Sequence, residues 1–402
     1  MKVVVAIDSF KGSMTSMQAG NACKEGILAA AHAHCGSGAA AAKDRKPAAD
    51  NMKVVVKPLA DGGEGTVEAL VEGMSGTYEY VPVTGPMGNP VKARYGILPD
   101  QTVVMEMAEA SGITLVKEPL NPWKAASTGV GEMILDAVQK GCRKFIIGIG
   151  GSATTEGGIG MLSALGYDFM DENGDILPPV FASLEKVVQI ENNRVPEMLK
   201  DCHFQIACDV TNPLCGVEGC VYVFGAQKGV KEEEKESMDR AMQSYAACME
   251  KFTGKKLSEI PGTGAAGGLG FAFLWGLPNV ELKPGIDIVL EAVGLTNELK
   301  DADVVVTGEG CLDFQTAMGK VPVGVAKTAK NYNCKVIAFA GSVTEEAKKC
   351  NEKGIDAFFS ILPGVCSLDE AMDTETAQKN MRNAAEQVFR LILALLKEKC
   401  YE

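Results

Sequence analysis

Apolar runs rich in β-branched residues alternate with helix-like patterns at both ends of the chain. Near the start, Val3–Ile7 and Val54–Val56 are predicted strands, separated by a segment with an apolar helical face. Near the end, the predicted strands are Val304–Thr307, Val336–Ala340 and Phe358–Leu362. Strands that are apolar throughout and alternate with helices form parallel sheets that helices cover on both faces. The predicted fold class is therefore α/β, with a doubly wound, Rossmann-like parallel sheet.

The middle of the chain has a different pattern, in which short strands are separated by turn residues. Tyr78–Val83, Val91–Leu98 and Thr102–Met107 are typical of an antiparallel meander. This change of pattern indicates a second α/β domain inserted into the first.

The length of 402 residues exceeds the size at which single cores stop growing, so we expect two domains. We predict a discontinuous Rossmann-like domain from residues 1–76 and 285–402, with the inserted α/β domain formed by residues 77–284. Residues 32–51 contain many alanines and few large apolar side chains. They are predicted to form a solvent loop, to which we attach no function.

Composition and charge exclude several classes of function. The net charge of -13, with no basic block to offset it, argues against a nucleic acid or an anionic membrane as partner. No apolar stretch approaches the roughly 20 residues of a membrane span, and the start of the chain is not typical of a signal peptide. The 13 cysteines lack C-x-x-C spacing, which disfavours zinc. Many lie in apolar contexts that suit reduced thiols, so we expect a cytoplasmic protein.

The predicted strand Phe145–Ile149 ends in a loop rich in glycine, and a short helix is predicted after it at Ile159–Leu165. A strand that ends in glycines before a helix presents backbone N–H groups at a positive dipole end, which favours a phosphate. The predicted phosphate-binding residues are Gly150, Gly151, Ser152 and Thr154. The alternative is a turn whose glycines only allow close packing.

Two acidic loops follow the first two strands. Asp8, Ser9 and Lys11 come directly after the first strand, where ligands of an open parallel sheet bind. Asp8 and Lys11 are candidate catalytic residues, and Ser9 is a candidate binding residue, although Asp8 and Ser9 could instead cap the next helix. Asp61 and Glu64, which stand among three glycines, are candidate substrate-binding residues or the two ends of a helix capping box.

Two further loops place carboxylates at predicted strand ends. Asp209 follows the apolar run 204–207 and is a candidate catalytic residue. Glu309 and Asp313 follow another strand, and Lys320 comes shortly after them. Mg²⁺ prefers oxygen ligands and usually takes one or two carboxylates besides phosphate and water. Glu309 and Asp313 are the predicted metal ligands and Lys320 a predicted phosphate contact; the alternative is a set of surface turns.

The available side chains favour phosphoryl transfer. Apart from two histidines in the 32–51 segment, only His203 is present. The chain therefore offers little choice of a catalytic histidine for a Ser-His-Asp mechanism. Carboxylates, lysines, glycines and a metal suit phosphoryl transfer, in which the protein mainly positions groups and neutralises charge. A second hypothesis remains, because Gly148-x-Gly150-x-x-Ala153 with Asp168 further on imitates a dinucleotide fingerprint. It predicts an NAD(P)-dependent oxidoreductase of a small hydroxy acid.

A series of collinear motifs resembles the type 1 glycerate kinase family. The motifs include D-S-F-K-G (Asp8–Gly12), A-D-G-G-E-G-T (Ala60–Thr66), G-I-G-G-S-A-T (Gly148–Thr154), A-C-D-V-T-N-P-L (Ala207–Leu214), F-G-A-Q-K-G (Phe224–Gly229) and G-E-G-x-L-D-x-Q-T-x-x-G-K (Gly308–Lys320). The resemblance covers nearly the whole chain. It implies ATP-dependent phosphorylation of D-glycerate, at O2 to give 2-phosphoglycerate and ADP, with Mg²⁺. It also implies two α/β domains with the active site in the cleft between them.

The chain departs from the family pattern at Thr155 and Glu156, where members usually show asparagine and aspartate, and at Cys311, where arginine is common. Contacts from the side chain of residue 155 are therefore in doubt, while contacts from the backbone are not. As a mechanism, we expect Asp209 or Asp8 to deprotonate the glycerate hydroxyl and Lys11 to neutralise charge. A non-catalytic sugar-acid sensor is a third hypothesis. The choice between O2 and O3, and between monomer and homodimer, stays open.

Overall fold

The computed structural model describes residues 1–36, 52–117 and 119–398. The chain forms two compact units. The first contains Met1–Asp61 and Val289–Glu402, and the second contains Gly62–Ile288.

The strands, in chain order, are β1 (Lys2–Ile7), β2 (Lys53–Pro58), β3 (Thr77–Thr84), β4 (Pro90–Ile97), β5 (Thr102–Glu106), β6 (Lys144–Gly148), β7 (Asp168–Met170), β8 (Gln189–Glu191), β9 (His203–Ala207), β10 (Val280–Lys283), β11 (Val304–Leu312), β12 (Lys335–Val343) and β13 (Ala357–Ser360). The α-helices are α1 (Ser16–Gly36), α2 (Thr66–Met74), α3 (Ala108–Ser111), α4 (Thr128–Gln139), α5 (Ile159–Ala164), α6 (Cys220–Phe224), α7 (Lys235–Thr253), α8 (Leu269–Gly276), α9 (Gly285–Ala292), α10 (Leu295–Leu299), α11 (Phe314–Ala317), α12 (Val321–Lys330), α13 (Lys349–Glu352), α14 (Leu368–Met372) and α15 (Thr374–Glu398).

The first unit is built on a parallel sheet with the strand order β13-β12-β11-β1-β2. The apolar residues of β1 alternate between its two faces, so that Val3, Val5 and Ile7 pack with α1 and α15 in one core. On the other strands, α12 packs against β11 and β12. This arrangement confirms the predicted fold class, and it brings the carboxyl ends of five parallel strands to one edge of the sheet.

The second unit has a six-stranded sheet with the order β10-β9-β6-β5-β4-β3. Strands β3, β4 and β5 pair antiparallel, as the meander pattern predicts. Strands β5, β6, β9 and β10 pair in parallel with one another, so the carboxyl ends of β6 and β9 also meet at one edge. A small antiparallel pair, β7 and β8, lies outside this sheet.

The boundaries of the units differ from the predicted ones at residues 76 and 284. Residues 62–76 belong to the second unit because α2 packs onto β4 and β5 of its sheet. Residues 285–288 also belong to the second unit. A change from strand alternation to a meander marks where β3 begins, but it does not show which sheet the preceding helix covers.

The predicted loop over residues 32–51 is wrong at its start, because residues 32–36 continue helix α1. Residues 29–31, just before this extension, are three alanines, and alanine is the strongest helix former, so the helix can continue beyond its packed part. Residues 37–51 lie outside the described residues. Among the residues that are described, no helix has both the length and the apolar character that crossing a membrane requires.

Candidate active site

A cavity of about 410 Å³ lies in the first unit at the carboxyl ends of its parallel strands. Seven predicted site residues line it: Asp8, Ser9, Lys11, Asp61, Glu309, Asp313 and Lys320. They come from segments far apart in sequence. Asp8, Ser9 and Lys11 follow β1 and Asp61 follows β2, whereas Glu309 lies on β11 and Asp313 and Lys320 come after it. We call this space the first cavity. Its other walls are largely apolar and include Phe10, Ile361 and Leu362.

Asp8 directly follows strand β1, which pairs with β11 and β2. Its N–H donates to the carbonyl of Gly308 at 2.9 Å, and its Oδ1 accepts from the N–H of Ser9 at 2.6 Å. The next helix begins only at Ser16, so Asp8 and Ser9 are not its cap. Burial, together with the negative charges of Asp61 and Glu309, raises the pKa of Asp8 from 3.8 to about 7. The N–H of Ser9 and the charge of Lys11 oppose this shift.

The two predicted metal ligands stand on and just after β11. Glu309 is buried, and its Oε1 accepts a hydrogen bond from the hydroxyl of Thr316. Burial raises the pKa of Glu309, and Asp313 and Asp61 add to the shift while Thr316 and Lys320 oppose it. Asp313 caps helix α11, where its Oδ1 accepts from the N–H groups of Gln315 and Thr316. Each carboxylate therefore already holds part of the local structure.

The structure does not contain a preformed metal cage in the described ranges, 1–36, 52–117 and 119–398. In those ranges, no three His, Cys, Asp or Glu side chains converge in a way that could hold a metal ion. Mg²⁺ bound to a nucleotide needs fewer protein ligands, since phosphate and water oxygens complete its shell. Clustered carboxylates that raise one another's pKa fit such a cation, which would offset their repulsion.

The capping box proposed for Asp61 and Glu64 is wrong. Helix α2 begins at Thr66, and its N-cap position is Gly65, with a φ of 92°. The carboxylate of Glu106 accepts from the N–H groups of Gly65 and Val67, so it satisfies this helix end instead. Asp61 lines the first cavity, whereas Glu64 is exposed and lines neither that cavity nor the one described next.

A second cavity, of about 310 Å³, lies in the second unit at the ends of β6 and β9. It is lined by the predicted residues Gly150, Gly151, Ser152 and Asp209. Asp209 follows β9, and its Oδ1 accepts from the N–H of Gly285 at 2.9 Å. Thr154 does not line this cavity: it is fully buried, and it contributes a carbonyl to the contacts described next.

Lys228 lines the second cavity, and no site role was predicted for it. It ends the 3₁₀ turn Ala226–Lys228, and Gly229 follows it with a φ of 93°. The Nζ of Lys228 donates to Ser152 Oγ and to the Thr154 carbonyl, both at 2.6 Å. Burial lowers the pKa of Lys228 to about 8, and Cys220 and Glu156 oppose the shift. The F-G-A-Q-K-G motif contains this lysine, but its letters do not predict that the side chain is buried.

Comparison with known proteins identifies the family. The model of the glycerate kinase family matches residues 3–393. A glycerate kinase of Bacillus subtilis (strain 168) is 41% identical over 392 residues, which cover 96% of this chain and 98% of that protein. The chain belongs to the glycerate kinase family.

Two further relatives agree with this membership of the glycerate kinase family. A glycerate 2-kinase of Escherichia coli (strain K12) is 41% identical over 373 residues, covering 92% of this chain and 93% of that protein. A crystal structure from Salmonella typhimurium LT2, assigned as a glycerate kinase 2, has a TM-score of 0.87 and 39% identity, covering 99% of each chain. As a glycerate kinase family member, the chain is a phosphotransferase that uses a phosphoryl donor and a small-molecule acceptor.

The competing hypothesis of a dinucleotide site in this family member is not supported. After β6 the helix α5 begins only at Ile159, so Gly148 and Gly150 do not form the tight strand-to-helix turn that the fingerprint requires. Asp168, the acidic residue that completes the fingerprint in sequence, lies on β7 and forms an ion pair with Arg194. The family membership likewise does not support a non-catalytic sensor.

The departure of this chain from the family pattern at Glu156 has a structural outcome. Glu156 is fully buried, and its Oε1 accepts from the N–H and the hydroxyl of Ser127 and from the N–H of Gly160. Burial raises its pKa, and these hydrogen bonds oppose the shift. The side chain therefore ties the glycine-rich loop to the start of α4. Thr155 is also fully buried, and neither side chain is among the residues that line the second cavity.

Proposed function

We propose that the chain transfers the γ-phosphoryl group of ATP to D-glycerate at O2, giving 2-phosphoglycerate and ADP with Mg²⁺ as the metal. The observation that carries this proposal is the complementary chemistry of the two cavities. The first contains several carboxylates and two lysines beside an apolar wall. The second contains one carboxylate, one lysine and a glycine-rich loop. A magnesium nucleotide and a small hydroxy acid need these two different environments.

In this proposal the first cavity binds the nucleotide. Phe10, Ile361 and Leu362 offer apolar surface for the base, and Lys11 and Lys320 offset phosphate charge. Glu309 and Asp313 would hold Mg²⁺, which, when bound, neutralises charge on the phosphate oxygens. These assignments follow from the charges and the chemical character of the lining residues.

In the second cavity, Asp209 is the proposed general base for the acceptor hydroxyl. Its position at the carboxyl end of β9, beside the loop of Gly150 and Gly151, fits a group that orients the acceptor. A carboxylate that accepts the hydroxyl proton contributes about 10²–10⁴ in rate in typical enzymes. Asp8 is the alternative base, and its raised pKa of about 7 suits proton transfer near neutral pH.

We predict that Glu309→Gln raises the Mg²⁺ concentration needed for half-maximal activity by about tenfold or more. The amide keeps an oxygen that can accept from Thr316, but it removes the charge that attracts the cation. The measurement is a titration of initial rate with MgCl₂ at saturating ATP and D-glycerate. Glu352→Gln, which removes an exposed carboxylate on α13 of the same unit, is the control. An unchanged Mg²⁺ requirement in Glu309→Gln would exclude Glu309 as a ligand.

The experiment that tests the proposed function is a coupled assay of ADP release. ADP should form only when ATP, Mg²⁺ and D-glycerate are all present, and L-glycerate and D-lactate serve as comparison acceptors. ADP release that does not depend on any acceptor would indicate an ATPase. Turnover of NAD(P) with no ATP requirement would contradict the proposal.

A further inference from the structure

Lys228 places a cation inside the second cavity. The residue is only 2% exposed, yet it lines the cavity, and its Nζ donates to the hydroxyl of Ser152, which lines the same cavity. An ammonium has three N–H donors, and the bonds to Ser152 and Thr154 use two of them. The remaining donor and the positive charge are available to a third group.

No carboxylate in the described part of the chain forms an ion pair with Lys228, although several other lysines there do form ion pairs. A buried charge is costly unless an opposite charge or several hydrogen bonds compensate it. Glu156 interacts with Lys228 electrostatically, but its own hydrogen bonds go to Ser127 and Gly160. The charge of Lys228 is therefore best compensated by an anion that enters the cavity.

The glycine-rich loop adds backbone donors at the same place. Gly150 and Gly151 line the cavity, and within the described residues no hydrogen bond uses their N–H groups. Gly151 has a φ of 72°, a left-handed conformation that glycine adopts without strain. Two backbone donors, a hydroxyl and an ammonium thus belong to residues that line one cavity.

We propose that Lys228, with the N–H groups of Gly150 and Gly151, forms an oxyanion subsite that binds the carboxylate of the hydroxy-acid acceptor. The inference rests on the proposed function and deepens it by assigning the acceptor's charged end to a residue. The charged residues that line the second cavity favour a carboxylate there over the triphosphate of a nucleotide. The second cavity contains one lysine and one aspartate, which match one carboxylate and one hydroxyl, whereas the first contains two lysines and several carboxylates.

The test compares D-glycerate with D-glyceramide, in which the carboxylate is replaced by a neutral amide of similar size. The wild-type chain should prefer D-glycerate by about 10²-fold or more in kcat/KM, because the amide removes one partner of a buried charge pair. Lys228→Gln keeps N–H donors for Ser152 and Thr154 but removes the charge, so its preference should fall to about tenfold or less. Lys228→Arg keeps the charge and should restore most of the preference. Lys255→Gln, at an exposed lysine of the same unit, is the control.

Three outcomes would overturn the proposal. A merely structural lysine would lower kcat/KM for both acceptors equally and leave the preference unchanged in Lys228→Gln. A phosphate contact would raise the KM for ATP in Lys228→Gln and also leave the preference unchanged. If the kinetic constants of Lys228→Gln equal those of the wild-type chain, the charge of Lys228 does not contribute to acceptor binding.

The proposed oxyanion subsite can also be tested independently of the proposed kinase activity. If the chain phosphorylates neither acceptor, calorimetric titration with D-glycerate and D-glyceramide measures the subsite directly. A preference for D-glycerate that Lys228→Gln abolishes and Lys228→Arg retains would support the subsite although the kinase proposal had failed. Equal binding of the two compounds by the wild-type chain would overturn the subsite.

Discussion

Replacing Asp209 by asparagine should lower kcat for D-glycerate phosphorylation by about 10²–10⁴-fold, with little change in the KM for ATP. Asparagine retains an oxygen that can accept from the N–H of Gly285, so the local structure should persist. It cannot accept a proton from the acceptor hydroxyl. The loss should therefore appear in the chemical step and not in nucleotide binding.

The control for this substitution is Asp201→Asn, which removes an exposed carboxylate from the same unit before β9. The variant and the control should show the same thermal unfolding midpoint as the wild-type chain. Unchanged turnover in Asp209→Asn would remove Asp209 from the catalytic residues and leave Asp8 as the candidate base.

Replacing Asp8 by asparagine should have two effects of opposite sign. The activity at pH 8 should fall by about 10²-fold, because Asp8 is one of the carboxylates that line the proposed magnesium-nucleotide site, whether or not it also acts as the base. The free energy of unfolding at pH 8 should rise. In the folded chain the pKa of Asp8 is about 7, well above its ordinary value of 3.8. Burial of the carboxylate, which is the main cause of that shift, disfavours the ionised form.

The direction of the pH dependence follows from the raised pKa. A group whose pKa is higher in the folded state stabilises the fold below its unfolded pKa, and this stability is lost as the pH rises through the folded pKa. For Asp8 the loss extends from about pH 4 to about pH 7 and amounts to at most about 4 kcal/mol. Asparagine does not ionise. The stability advantage of the variant should therefore grow by about 2–3 kcal/mol between pH 5 and pH 8.

Urea unfolding of the ligand-free wild-type chain and of Asp8→Asn, at pH 5 and pH 8, measures this difference. Asp369→Asn, at an exposed position on α14 of the same unit, should show no such growth. A variant that is less stable than the wild-type chain at pH 8 would contradict the assignment of Asp8 as a buried carboxylate with a raised pKa.

The strand ends that carry most of the candidate site could be predicted from the sequence. Asp8, Asp209 and Glu309 follow short apolar runs, which favour buried strands, and the carboxyl ends of parallel strands meet at one edge. Their grouping within each sheet was therefore predictable. Their division between two cavities was not, because a sequence pattern locates strand ends without showing which sheet each strand joins.

The residues that were missed or misassigned share a physical cause, which is tertiary contact. Lys228 stands in a polar segment, and only its contacts with Ser152 and Thr154 reveal that it is buried. Asp61 and Glu64 match a capping box in spacing, but Glu106, which is distant in sequence, takes the capping role. Glu156 replaces a shorter carboxylate, and its inward position depends on Ser127 of another segment.

The backbone conformation of Ala266 could not be predicted from the sequence either. Ala266 lines the second cavity with a φ of 52°, a region that residues other than glycine rarely adopt. Such strain is commonly held at functional sites by the surrounding structure. The flanking glycines, Gly264 and Gly267, indicate a turn, but they do not indicate that an alanine is held in this conformation.

The regiochemistry of the product tests the central claim most directly. After turnover of ATP and D-glycerate, a proton-coupled ³¹P NMR spectrum of the purified product distinguishes the two esters. Transfer to O2, as the account predicts, gives a phosphorus signal split into a doublet by the single proton on C2. Transfer to O3 gives a triplet from the two protons on C3 and would contradict the proposed 2-kinase activity. The absence of any phosphoglycerate signal would contradict the proposed function as a whole.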